Sequence, residues 1–307
     1  MTWVSWRLQR TETLLALGIL ALLAALLVPT GIQMANAYHH DGLAACLSSH
    51  PTPTCENALG SFRQRFQSLL DLANWFNLLP GLIGILLATP FIVDLERGTY
   101  RLDWTQSISR DRWLLGKLGL PIVSAVFAAC TLILLFTWWR GPSVHLDGRL
   151  ETGNYDFTGS VLVGYTLFAL ALAVAVGAIW RRAAVSLIVA FVGYVAARVY
   201  VDSSLRYHLV APLKTTFKSS AQQPSFLDNA HIMSLQATIH GQGVTSGSGF
   251  IGPVKGQAPG LRNAVFHVVY QPESHFWPLQ LTETGLFVGV AAVLILFAAW
   301  WTRRRTS

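Results

Sequence analysis

The chain has 307 residues, 52% of them hydrophobic and only 12% charged, and its mean hydropathy is +0.45. Soluble domains carry roughly twice that share of charge, so a water-soluble globular fold is excluded and most of the surface faces lipid. The net charge of +7 is explained by where the cations fall along the chain, and no nucleic-acid partner is needed to account for it.

A hydrocarbon core about 30 Å thick calls for roughly 20 apolar residues of helix. Six runs meet that need: Leu14 to Ile32, Leu72 to Val93, Leu118 to Trp139, Phe157 to Trp180, Ala183 to Val201 and Gly285 to Thr302. The expected fold is therefore an all-α polytopic membrane protein with six transmembrane helices in a single domain. With the N-terminus inside, Arg7, Arg10, Arg97, Arg101, Arg110, Arg112, Lys117, Arg181, Arg182 and Arg303 to Arg305 all lie in short cytoplasmic segments, twelve of the 22 Lys and Arg. That bias places both ends in the cytoplasm.

Residues 1–13 interleave Trp3, Val4, Trp6 and Leu8 with Arg7, Gln9 and Arg10, a composition suited to an interfacial elbow helix. The first run is too long for a secretory signal and lacks a small-x-small cleavage site, so it stays as an anchor. An outer segment, 33–71, follows. It begins polar, and then Phe62, Phe66, Leu69, Leu70 and Ala73 recur at helical spacing. Cys46 and Cys55, nine apart on the oxidising face, read as a disulfide, with two free thiols as the alternative. The nine histidines are scattered without ligand spacing and read as surface residues; no metal site is assigned.

The second run carries Pro80, Gly81, Gly84 and Pro90, which signals either a kink or close helix packing through small residues. Cys130 falls within the third run and reads as packing. Arg198 is the only charge inside any of the six runs, with Asp202 four residues on; the pair reads as a structural anchor at the membrane boundary, a substrate contact being the other reading. The second outer segment, 202–284, has seven glycines between Gly241 and Gly260 and reads as a flexible loop rather than a fold. The mildly apolar Asn263 to Leu281 reads as a stretch that dips back into the outer leaflet or caps it.

No catalytic constellation is present: HExxH, GxSxG and CxxC are all missing, as is the phosphate-cradling GxxxxGK[ST] loop. The stretch joining the second and third runs is more informative: DLERGTYRLDWTQSISRDRWLLGKLG, Asp94 to Gly119. It resembles the first cytoplasmic loop of ABC-2-type transporter permeases in the form common among actinobacteria. WRLQRTE at Trp6 to Glu12 is similar to that family's elbow, and YQPESHFWPLQLTETGLF at Tyr270 to Phe287 to its entry into the last helix.

The resemblance implies the permease subunit of an ABC exporter in the bacterial cytoplasmic membrane. Its implied partners are a cytoplasmic ABC ATPase subunit, which holds ATP and magnesium, a second permease copy or homologue, and membrane lipids. The chain itself would hold no cofactor and perform no catalysis. Coupling to the ATPase is expected at Glu96, Gly98, Thr99, Leu102, Ile108, Arg110 and Arg112, together with Arg181 and Arg182 of the short facing loop. Gly98 frees the chain to leave the second helix, and Thr99 can cap a following one. Leu102 and Ile108 share a face of that short helix, and Glu96 is expected to pair with Arg112 or Lys117. A bland reading of this loop is a basic segment ordered by lipid headgroups. The apolar spans point to an amphipathic or lipid-like cargo. A reading from another class is a membrane sensor or immunity subunit that binds an external peptide or lipid without moving it.

Overall fold

The computed structural model describes residues 2–48, 53–99, 110–218, 227, 229–239, 242–247 and 265–305. In chain order the helices are α1 (Thr2–His40), α2 (Leu43–Ser48), α3 (Pro53–Asn74), α4 (Leu79–Arg97), α5 (Arg110–Trp139), α6 (Gly141–Asp147), α7 (Thr152–Tyr155), α8 (Val161–Trp180), α9 (Ala183–Tyr200) and α10 (Phe276–Arg305). Six helical segments are long and apolar enough to cross a membrane. They are α1, the α3–α4 run, α5, α8, α9 with its extension to His208, and α10. The chain is a multi-pass membrane protein.

The bundle is built around α8. Its twenty residues carry almost no polar side chain, and a helix apolar all round has to be covered on every side. Glycines let the neighbours close in. A Cβ on Gly84 of α4 would stand 2.4 Å from the carbonyl oxygen of Thr166 in α8, and one on Gly177 of α8 would stand 2.7 Å from Ile92 of α4. Gly81 accepts the ring of Tyr194 from α9 in the same way. The glycines of the second span therefore serve close packing, and the span starts afresh after a 3-10 turn at Trp75–Leu78, with Pro80 in its first turn, where a missing N–H costs nothing.

Several expectations change. The segment expected as a separate elbow is the beginning of α1, which runs from Thr2 to His40 without interruption. The expected helix before the second span is α3, with Phe62 and Phe66 on its buried face. Cys130 is exposed on α5, not packed in the bundle.

The largest correction concerns residues 202–284. The fold is not all-α: the segment contains a four-stranded antiparallel sheet of β1 (Leu213–Lys218), β2 (His231–Ile239), β3 (Gln242–Gly247) and β4 (Val265–Gln271), in the order β1-β4-β2-β3. β4 lies between β1 and β2, with Leu213 opposite Tyr270 and His231 opposite Gln271. Alternation explains it: Phe266, Val268 and Tyr270 project to one side and are buried with Ile232 and Ala237, while His267 between them is exposed. The apolar stretch expected to touch the outer leaflet is, from Val265, an inner strand of this sheet followed by the start of α10. The bundle thus has a sheet end and, opposite it, a loop end.

Cys46 in α2 and Cys55 in α3 lie side by side, their Cα atoms 5.6 Å apart, within bridging range. An aqueous maleimide applied to unreduced membranes is expected to leave both unmodified and to label both after reduction. Full labelling of either before reduction would rule the bridge out.

Candidate functional site

Two polar junctions hold the bundle, one at each end. At the loop end, α4 finishes at Arg97 and Gly98 takes a left-handed conformation, φ 71°, a region open to glycine at little cost. That turn brings Thr99 back over the last turn of α4. Thr99 Oγ1 donates to the Asp94 carboxylate at 3.0 Å and to the Asp94 carbonyl at 3.4 Å. Thr99 therefore closes the helix behind it; the helix it was expected to cap falls outside the described residues. Asp94 also receives the ammonium of Lys117 from α5 in a close ion pair.

Glu96 sits on the face of α4 turned toward α9. Its Oε2 accepts from the backbone N–H of Ala183 at 3.1 Å, filling one of the free donors that open α9 and setting negative charge at the positive end of that helix. The expected Lys117 partner is thus Asp94, and Glu96 is engaged with a backbone. Arg181 closes α8 in a left-handed conformation, φ 54°, and Arg182 leads extended into α9. Arg110 opens α5 and Arg112 is exposed in its first turn. Leu102 and Ile108 lie outside the described residues. The end of α4, the start of α5 and the α8–α9 turn therefore bring Glu96, Gly98, Thr99, Arg110, Arg112, Arg181 and Arg182 to one end of the bundle.

At the sheet end, residues from four parts of the chain form a buried ionic network that the sequence reading missed. Arg206, in a 3-10 turn after α9, is fully buried. Its Nε donates to Glu283 of α10 at 3.1 Å and its Nη2 to Asp156 at 2.6 Å, while Nη1 pairs with Asp202. Arg198 binds Asp156 at 3.1 Å, approaches Glu283 at 3.7 Å, and stacks 3.7 Å above the Tyr165 ring. It is thus not an anchor to Asp202, whose partner is Arg206. The Tyr155 hydroxyl donates to Glu283 at 3.0 Å, and Tyr165 donates to the other carboxylate oxygen.

The backbone around this network is fixed by amides. Gln280 accepts from Val161 N at 3.0 Å and donates to the Tyr155 carbonyl at 2.8 Å, lying over Gly159, where a Cβ would meet it at 2.2 Å. Asn154 ties the α6–α7 loop together, donating to Gly148 O and accepting from Arg140. Arg140 has no carboxylate within 4 Å among the described residues; burial holds its guanidinium below the usual range, with Glu151, Asp156 and Asp147 opposing that at longer distance. Burial likewise raises Glu151 and the Tyr155 phenol.

The sheet is fastened to the same junction. Tyr207 stacks on His231 with ring centroids 3.8 Å apart, and Gln271 donates to the carbonyls of Tyr207 and Val210. A signal for part of this was present in the sequence: Gln280, Glu283 and Thr284 are three and four residues apart, a polar stripe on an otherwise apolar helix.

Six apolar spans, with a polar junction at each end of the bundle, define a multi-pass helical membrane protein. The family model described as ABC-2 membrane transporter related matches residues 17–206, and the chain belongs to that family. No curated protein and no solved structure matches it.

Arg206→Met leaves two buried carboxylates without their main cation and is expected to cost about 3 to 5 kcal/mol of stability. Arg206→Met with Glu283→Gln should cost less than the sum of the single changes, a coupling on the order of 1 to 3 kcal/mol, read from unfolding of the detergent-purified protein.

His231 yields a pH prediction. Burial, and then the charge of Arg206, depress its pKa to about 4, against about 6.5 for an unfolded chain. The folded state prefers the neutral ring, so this stabilisation is complete above about pH 6.5 and is lost as the pH falls toward about 4. The melting temperature of His231→Phe, which retains the stack on Tyr207, should fall less between about pH 7 and pH 5 than that of the unaltered protein.

Proposed function

We propose that this chain is the permease subunit of an ABC exporter in the bacterial cytoplasmic membrane, with both termini inside. It forms the path for an amphipathic or lipid-like substrate, and it couples to a separate ATPase subunit that binds ATP and magnesium. A second permease copy or a homologue completes the membrane part. The observation that carries this reading, beside the family, is the loop end. Two carboxylates two residues apart, on different faces of α4, reach two other helices, Asp94 to Lys117 on α5 and Glu96 to the start of α9. A subunit pressing there moves three helices together, which is what transmission from a soluble motor to a membrane path requires.

The folded sheet at the opposite end favours a second reading, a sensor or immunity subunit that binds an external peptide or lipid. The two are separated by crosslinks between helix ends beside the sheet. In an exporter their yield changes when the partner binds ATP, and in a static binder it does not.

Co-expression with an ATPase encoded beside this chain is expected to give a stable complex with ATPase activity. Gly98→Leu, which forces a Cβ into the left-handed region, and Glu96→Ala should each lower transport on the order of tenfold in subunits that insert normally. Unchanged transport in both would refute coupling through this end.

A further inference from the structure

We infer that α9 is the rod that carries movement at the loop end to the sheet, and that Glu96 is the positioning residue that engages it. The inference deepens the exporter reading above, because it supplies the path by which the coupling end reaches the far side of the bundle.

The helical stretch from Ala183 to His208 spans 26 residues, roughly 39 Å at about 1.5 Å per residue, enough to cross a hydrocarbon core about 30 Å thick. Along its α-helical part, α9 buries only Ser186, Ala190, Tyr194 and Arg198. These are four apart in sequence and form the centre of the face turned to the bundle, with Leu187, Phe191 and Val195 half-buried beside them. Ile188, Val192 and Val199 are more than 60% exposed on the other faces. Dispersion and burial therefore hold α9 along one face, and polar bonds hold its ends.

At the start, Glu96 takes the Ala183 N–H. In the middle, the Tyr194 hydroxyl donates to the Asn77 carbonyl at 3.2 Å, and its ring fills the space over Gly81. At the far end, Arg198 and Arg206 enter the buried network, with one π turn, Val201–Leu205, between them. π turns are uncommon and recur at functional positions. Beyond that turn the chain passes directly into the sheet contacts: Tyr207 on His231, and Gln271 on the carbonyls of Tyr207 and Val210. A helix joined by polar bonds at both ends and free of the bundle on its other faces moves as a unit, so a displacement of Ala183 is delivered to Arg206 and the base of the sheet.

Amide hydrogen exchange on the full chain in lipid nanodiscs tests this without any ATPase, so a failure to find or bind a partner leaves the result interpretable. The unaltered protein is compared with Glu96→Ala, Glu96→Gln and Ala183→Pro. Gln keeps an oxygen that accepts from the Ala183 N–H and is expected to match the unaltered protein. Pro removes the donor itself at the first helical position, where a helix tolerates it. The Ala and Pro variants are expected to speed exchange on the order of threefold or more in the first turns of α9, and also in 206–210 and in β4. Faster exchange confined to the α4–α9 junction would overturn the inference, and so would a Gln variant that behaves like Ala.

Discussion

A guanidinium placed in a low-dielectric interior must find its counter-charges and hydrogen bonds inside the protein, since the cost of leaving it bare exceeds the stability of most domains. Arg206 is in that position, and the sheet end is organised around it. Its partners arrive from the turn after α7, from its own helix and from α10. Satisfying one side chain thus fixes where three helices meet. The tyrosines and Gln280 complete the arrangement, donating or accepting wherever the charges leave a lone pair or an N–H without a partner.

The opposite end obeys the same constraint with lighter means. Asp94 and Lys117 neutralise each other, and Glu96 answers the orphan donors of a helix start. Neither junction needs an extended interface. Each uses a few charged groups, placed where apolar spans leave the hydrocarbon and where polar contacts discriminate one helix arrangement from another more sharply than lipid-like side chains can.

Much of the bundle was legible because hydropathy and chain length alone separate membrane helices from everything else. The central position of α8 was implicit in its lack of polar residues, and the left-handed turn at Gly98 followed from glycine at a helix exit. The buried network was less accessible. Glu283 stands seven residues into α10, but the apolar run was read as beginning only at Gly285, so its burial was hidden by its charge. Asp202 was assigned to Arg198, four residues before it, although Arg206 stands four residues after it; spacing along a helix cannot choose between the two, and the π turn decided it. The sheet was obscured by the glycines between Gly241 and Gly260, which drew attention from the alternation in Val265–Gln271. Pairing between strands more than forty residues apart leaves no local mark.

β1 follows α9 almost at once and β4 leads almost at once into α10, and these two strands are paired along their whole length. The chain therefore returns beside the point it left, and the spacing of the last two spans is set by this strand pair together with the Arg206–Glu283 contact. The entropic cost of a longer excursion rises only with the logarithm of its length. The connections between β1 and β2 and between β3 and β4 are consequently places where a lineage can add, remove or exchange chain, remodelling what the protein presents at that face while the strands and the membrane bundle stay as they were.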